Sequence, residues 1–367
     1  MDITLKDKES LKVAASAFVC SLFNDAVVKD IEPIQDLWSQ YGVILRVHLE
    51  KFMHPASVIV KVITHSRPDQ HPRGWSTKLS HQRKIKSYQV EKNFYENYSS
   101  RCSPECRIAN LFGVEDTKDH TLIVLEDLKQ SGFHSLEGEA GKRHPIIEEQ
   151  FDACLKWLAN FHSNFLRHAS GAASPGPEQC NERLNNLSTK LWQKGTYWHL
   201  DTRPDELAKM NHKTLKRKAR EIDRVLDSCQ WMSLVHGDAK VANFCFNKSD
   251  LSAAALDFQY VGGGCGMKDL AYFVSSCLDS SACKAQEESI LKSYFDHLYL
   301  AMRQNQTHNH SEVFASLEEE WRRMYPFAWA DFSRFLEGWN SSHWKLHDYA
   351  NEMVREAIDR IEKGDQK

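Results

Sequence analysis

The spacing of apolar positions changes about a third of the way along the chain. Val43 to Leu49 (VILRVHL) and Ser57 to Ile63 (SVIVKVI) are β-branched runs on either side of a turn at Met53-His54-Pro55, and they predict two strands. A polar loop with Pro and Gly follows from His65 to Lys78. Tyr88, Glu91, Phe94, Tyr95 and Tyr98 then recur every three or four residues, which predicts a helix over 85–98. Thr121 to Leu125 (TLIVL) is a short apolar strand that ends at Glu126-Asp127-Leu128. The loop after it, with Gly132, Gly138 and Gly141, is the candidate hinge.

Beyond that loop the pattern turns helical. Ile147, Phe151, Cys154, Leu155, Leu158, Phe161 and Phe165 predict a long amphipathic helix packed in a core. Helical stretches follow over about 204–228 and 289–303, and the tail from Trp321 to Lys363 is aromatic-rich, then amphipathic. No internal repeat or low-complexity tract interrupts the order. Strands with one helix, a hinge, then mostly helices predict an α+β chain of two lobes.

Composition narrows the partners. In 367 residues, 41% hydrophobic and 26% charged, the balance is that of an ordinary globular protein. A net charge of −3 gives no global field for nucleic acid or an anionic membrane, so neither is expected as a partner. The basic run Lys213 to Arg220 is interrupted by apolar residues and reads as the solvated face of a helix. The N-terminal MDITLKDKESLK has no apolar core of a signal peptide, and no window reaches the ~18 apolar residues of a membrane span. Cys102 and Cys106 lie four apart with no second ligand pair, so the ten cysteines read as free thiols of a reducing cytoplasm rather than a zinc site.

The chemistry concentrates in residues 233–279. Phe244-Cys245-Phe246 and Ala253 to Leu256 predict a hairpin, with His236, Asp238, Asn243 and Asp257 at its two ends. Antiparallel pairing brings Asn243 close to Asp257, and an amide oxygen beside a carboxylate suits Mg²⁺. Asp238, on the same loop as Asn243, can take the proton of an attacking hydroxyl. Any one of these aspartates could be a turn or cap residue; together they are the parts that phosphoryl transfer needs.

His-Gly-Asp, then Asn243, then a strand-terminal Asp257-Phe258 resembles the motif set of the aminoglycoside phosphotransferase and choline kinase superfamily, a branch of the protein-kinase-like fold. The Asp-Phe-Gln in place of Asp-Phe-Gly resembles most the ecdysteroid-kinase-like group. The resemblance implies a nucleotide-binding N-terminal lobe over 1–126, an antiparallel sheet plus a helix. It implies a larger, mainly helical lobe over 127–367 for catalysis and substrate. The implied reaction moves the γ-phosphate of ATP, with Mg²⁺, onto a hydroxyl of a small molecule (choline-like, sterol-like or aminoglycoside-like).

Residue by residue, Asp238 matches the catalytic aspartate, and Asn243 and Asp257 match the metal ligands. His236 and Lys240 complete the catalytic loop, His236 as a support and Lys240 facing either the phosphate and substrate or solvent. Lys61 matches the strand lysine that pairs the α- and β-phosphates. Glu91 matches the helix glutamate that holds it, with Glu96 as the competitor. Glu126 and Leu128 match hinge positions that bind adenine through backbone groups. Asp269 reads as a brace of the catalytic loop.

The sequence departs from the pattern in three places. Gln40-Tyr41-Gly42 offers one glycine where a nucleotide-covering loop has several. Gln259 replaces the flexible glycine after Asp257-Phe258, so Asp257 is expected to be held in place. Gly262 to Gly266 (GGGCG) fails the dinucleotide-loop spacing and reads as a tight loop bordering the acceptor pocket, while Gly138 to Lys142 fails as a phosphate loop. Tyr325, Trp329, Phe332, Trp339 and Trp344 are candidates for core or for an acceptor wall, and Asp331 and Glu337 could meet a cationic acceptor or face water. A catalytically inactive nucleotide-binding scaffold is the alternative; a protein kinase is disfavoured because no activation segment follows Asp257. Oligomeric state stays open.

Overall fold

The computed structural model describes residues 8–24, 26–37, 40–50, 55–65, 78–136, 145–168, 190–305 and 310–364. The turn residues Met53 and His54, all of the loop between His65 and Lys78, and Gly138 to Lys142 lie outside them. The chain opens with α1 (Lys8–Leu22), β1 (Val27–Asp36), β2 (Gly42–Glu50), β3 (Ser57–Thr64) and α2 (Lys78–Asn97). Then come β4 (Arg107–Ile108), β5 (Leu111–Asp116), β6 (His120–Glu126) and β7 (Phe133–Ser135). The rest is α3 (Glu148–Asn164), β8 (Arg167–His168), α4 (Pro204–Lys209), α5 (Lys213–Asp227), β9 (Trp231–Val235), β10 (Phe244–Asn247), β11 (Ala253–Ala255), β12 (Gly262–Gly264), α6 (Met267–Cys277), α7 (Ser280–Asn305), α8 (His310–Trp339) and α9 (Asp348–Lys363).

Five antiparallel strands in the order β1-β2-β3-β6-β5 form the N-terminal sheet. Val43, Leu45, Val47 and Leu49 alternate onto one face of β2 and bury against Leu11, Ala15 and Val19 of α1. The other face of the sheet meets α2 and joins a large core that runs on through Phe258 into the helical part. A four-stranded sheet (β4-β11-β10-β7) and a three-stranded one (β12-β9-β8) sit among the C-terminal helices. This is a mixed α+β fold, sheet first and mainly helical after. No helix among the described residues is long and apolar enough to cross a membrane.

Several expectations need amending. The helical stretch over 204–228 is two helices: the His212 side chain caps α5 by accepting from Leu215 N at 3.1 Å, which requires the chain to leave the helical path first. Within α5, Leu215 and Ala219 are buried while Lys213, Arg217 and Arg220 are exposed, so the basic run is a solvated face. Gly262–Gly264 is not a pocket loop. It is a buried strand antiparallel to β9, and a Cβ on Gly262 would meet Trp192 O at 2.2 Å. Close backbone packing demands those glycines.

Candidate functional site

A cavity of about 1040 Å³ opens between the N-terminal sheet and the helical part. Lys61, Glu91, Leu128, Asp238, Lys240, Asn243 and Asp257 all line it. On the side of the N-terminal sheet, Lys61 stands on β3 among buried apolar neighbours, and its Nζ lies 2.5 Å from Glu91 Oε2 on α2. Glu96 pairs instead with Lys92 at 3.9 Å, so Glu91 is the partner of Lys61. Burial pushes the Glu91 carboxyl up, against the pull of Lys61. The Glu126 side chain is committed to structure: its carboxylate takes Arg107, Ser131 Oγ at 2.5 Å and Asn110 N at 3.0 Å. Next to it, Asp127 accepts from Ser57 Oγ at 2.6 Å and Arg46 Nε at 2.7 Å. These contacts hold the strand exit beside the cavity.

The His-Gly-Asp loop follows β9. Asp269, at the start of α6 and fully buried, accepts from His236 N at 2.5 Å and Gly237 N at 2.9 Å, and His162 Nε2 lies 3.2 Å away. It is the brace its position suggested. Gly237 has φ +80°, and a Cβ there would meet Tyr260 O at 2.2 Å. His236 donates from Nε2 to Leu256 O at 2.9 Å, which leaves Nδ1 to accept from Asp238 N at 3.2 Å. With both ring nitrogens spent and no exposure, it does not reach the cavity. It acts on Asp238 only by shaping the loop.

Asp238 is pinned on three sides. Oδ1 accepts from Tyr272 Oη at 3.1 Å, while Oδ2 accepts from Asn243 Nδ2 at 3.1 Å and Lys240 Nζ at 3.2 Å. Burial lowers the Lys240 pKa, yet Asp238 and Asp257 outweigh it and raise the value overall. The β10–β11 register pairs Phe244 with Ala255, and Leu256 N donates to Asn243 O at 2.8 Å. Asn243 and Asp257 therefore emerge at the same end of the hairpin.

Asp257 has φ +66°, an unusual backbone state for a residue with a side chain. Phe258 anchors it by stacking on Phe94 of α2 at 4.2 Å. Burial favours the neutral Asp257 carboxyl, but Lys61, Lys84 and Lys240 prevail and hold it below the usual range. Its Oδ1 is sealed from solvent without a hydrogen-bond partner. The Asn243 amide nitrogen is spent on Asp238, so its oxygen is the atom left for a cation. Two hard oxygens fit Mg²⁺, which keeps waters and phosphate oxygens as its other ligands. Among the described residues no group of three or more His, Cys, Asp or Glu could hold a metal unaided.

Sequence reasoning passed over several cavity residues. Lys84 sits in a polar stretch of α2 that reads as a solvated face, yet it points inward, and burial lowers its pKa to about 8. Tyr272 reads as core because it lies in an apolar helix. Arg83 and Arg203 also line the cavity, and burial, then the charge of Arg203, lowers the Arg83 pKa to about 10. Of the C-terminal aromatics, Phe332 and Trp339 line the cavity, whereas Tyr325 and Trp329 are core and Trp344 is exposed. Asp331 neither faces water nor meets the cavity: it is buried against Arg334 at 2.9 Å and Lys268 at 3.5 Å. Glu337 does not line the cavity either.

Comparison with solved structures finds an ethanolamine kinase from Plasmodium vivax at 11% identity, covering 99% of this chain and 93% of that one, with a TM-score of 0.48. The choline kinase LicA from Streptococcus pneumoniae matches at 13% identity over 96% and 99%, with a TM-score of 0.44. A macrolide 2′-phosphotransferase type I matches at 11% identity over 98% and 99%, with a TM-score of 0.42. Comparison with curated proteins finds no match. Residues 41–307, well over half of the chain and including Lys61, Glu91, Asp238, Asn243 and Asp257, match the model of the ecdysteroid kinase-like family, and the chain belongs to that family.

Proposed function

We propose that this protein transfers the γ-phosphate of ATP to a hydroxyl of a small molecule. The observation that carries the reading is the convergence on one cavity of Asp238, oriented on both carboxylate oxygens, and Asp257, whose Oδ1 has no hydrogen bond and lies 3.9 Å from Lys61 Nζ. Beside Asp257, Lys61 is fixed by Glu91. Family membership makes ATP the expected donor.

Asp238 is the group that orients the acceptor hydroxyl and receives its proton. Asn243 and Asp257 would hold Mg²⁺, which when bound neutralises phosphate charge. Lys61 meets the α- and β-phosphates, and the strand exit at Glu126 and Leu128 borders the adenine, with Glu126 N spent on Asn110 O at 2.9 Å and Leu128 O on Phe133 N at 2.9 Å. Lys240, hydrogen-bonded to Asp238, faces the same space with a side chain 39% exposed.

The acceptor side favours a neutral or anionic alcohol over a cationic one. Lys345 Nζ sits over the rings of Tyr272 at 4.7 Å and Phe332 at 5.4 Å, in the place where an aromatic cage would take a quaternary ammonium. Around it the cavity presents Arg83 and, paired with Glu206 at 3.3 Å, Arg203. A flat apolar alcohol of the sterol kind suits these walls better than choline or an aminoglycoside.

The test is acceptor-stimulated ADP release across a panel of neutral, anionic and cationic alcohols. A neutral or anionic alcohol should be turned over, and Asp238→Ala and Asp257→Ala should each abolish transfer to it. Undiminished turnover in either variant refutes the mechanism. Mg-ATP binding with no transfer to any acceptor would favour the inactive-scaffold reading.

A further inference from the structure

Phosphate groups under a nucleotide-covering loop are commonly met by backbone amides, which needs glycines with space around them. Here two amides of that loop are closed to the task. Leu37 N donates to Gly42 O at 2.8 Å and Gln40 N to Leu37 O at 3.0 Å, so those amides are spent within the loop. The single glycine is spent as well: a Cβ on Gly42 would meet Val62 O at 1.9 Å, so its bareness serves the packing of β2 on β3. Lys61, held by Glu91 at 2.5 Å, serves the α- and β-phosphates. The charge of a triphosphate calls for a further cation.

Lys84 is that cation. Its Nζ donates to Gln259 Oε1 at 2.8 Å and lies 4.6 Å from the centre of the Tyr88 ring. Among the described residues no carboxylate lies within ion-pair distance of it. The charged groups acting on it are Asp257, Lys61, Glu91 and Asp238, which are the catalytic set itself. An ammonium out of bulk water, held by a neutral amide and lining the catalytic cavity, is an anion site awaiting its anion.

We propose that Lys84 binds the β- and γ-phosphates in place of a glycine-rich loop, and that Gln259 is the positioning residue that aims it. The proposal rests on the kinase reading and deepens it. It also accounts for the glutamine after Asp257-Phe258: glycine there could not hold Lys84, and a glutamate would neutralise it. During transfer the bond between the γ-phosphorus and the bridging oxygen breaks, the acceptor oxygen bonds to phosphorus, and the hydroxyl proton passes to Asp238. Lys84 keeps its proton throughout and only offsets charge.

Calorimetric titration with adenosine, Mg-ADP and a non-hydrolysable Mg-ATP analogue tests this without turnover. Lys84→Met should weaken the ATP analogue about ten- to hundredfold, the scale of one charge-assisted hydrogen bond, while leaving adenosine affinity as in the native protein. Lys84→Arg should recover most of the loss. Gln259→Glu should weaken the analogue as Lys84→Met does and at the same time raise the melting temperature of the unliganded protein, because Lys84 gains a carboxylate. The assignment is overturned if Lys84→Met binds the analogue as tightly as native protein, or if it loses adenosine in equal measure. Native protein that binds no adenine nucleotide would overturn the kinase reading and the Lys84 assignment together, an outcome distinct from the other two.

Discussion

Tyr272 Oη donates a hydrogen bond to Asp238 Oδ1 at 3.1 Å, from a buried position in the first half of α6. The phenol and Asn243 hold the carboxylate from opposite oxygens, so the base proposed here would meet its acceptor in one orientation. Tyr272→Phe keeps the ring and removes only the donor. A hydrogen bond to a charged group is worth about 1.5 kcal/mol or more, so kcat should fall roughly tenfold. The KM for ATP should stay unchanged, since Tyr272 faces the acceptor. Steady-state kinetics with both substrates varied checks the split.

The Lys61–Glu91 pair sets a different expectation, one of stability. Both side chains are almost wholly buried, at 6% and 3% exposure. Lys61→Met strands the glutamate without its partner, and breaking a buried pair in this way costs about 3–5 kcal/mol. Lys61→Met/Glu91→Leu removes both charges and should regain most of that loss. Chemical denaturation of the native, single and double variants measures the difference; both variants should lack kinase activity.

Legibility in the sequence followed local signal strength. The β2, β3 and β6 runs, the period of α2 and the β10–β11 hairpin declare themselves through β-branched or three-and-four spacing, because each buries a face that its own residues define. β1 does not: it is an edge strand with most positions exposed, and Pro33 sits inside it. Nothing in its pattern distinguishes it from a loop. The aspartates of the cavity were legible because they cluster on one loop and one hairpin. Lys84 was not, since its inward direction depends on how α2 docks on Gln259, a residue 175 positions away. The glycine run misled for a related reason: only the approach of Trp192 shows why Gly262 must be bare.

That approach makes its own prediction. Gly262→Ala puts a methyl group against Trp192 O at 2.2 Å and Gly195 N at 2.8 Å, both backbone atoms with little room to retreat. The variant should fail to accumulate in soluble form, or melt well below the native protein. Gly364→Ala is the control. Gly364 has φ +73° at the end of α9 but nothing within 4 Å, so its substitution should cost only about 1 kcal/mol. Soluble yield and thermal melts compare the two.

Stability should also fall in acid, through His199. Burial, with the nearby charge of Lys268 second, lowers its pKa from 6.5 to about 4, although Asp223 and Asp331 pull the other way. Lys194 and Asp201 complete the charges around the ring. A histidine whose folded pKa lies below its unfolded one lends stability that is fully present above about pH 6.5. That contribution is lost as the pH drops toward 4, by about 1.4 kcal/mol for each pH step of one across the window. The melting temperature of native protein should therefore decline across this window, and His199→Gln should flatten the decline. Melts taken from pH 7.5 to 4.5 resolve it.

The stack of Phe258 on Phe94 belongs to a seam in which Tyr98 lies against Phe165 at 6.2 Å and Phe94 against Phe161 at 6.1 Å. Residues proposed to grip the nucleotide and residues proposed to act on the hydroxyl are thus backed by one shared interior. A fragment ending near Glu126 would bare the inner aromatic face of α2 to water, and the remainder would bare Phe161, Phe165 and Phe258. The two duties proposed for the cleft therefore share one core and should not survive separation onto two polypeptides. They must be inherited, and lost, as a unit.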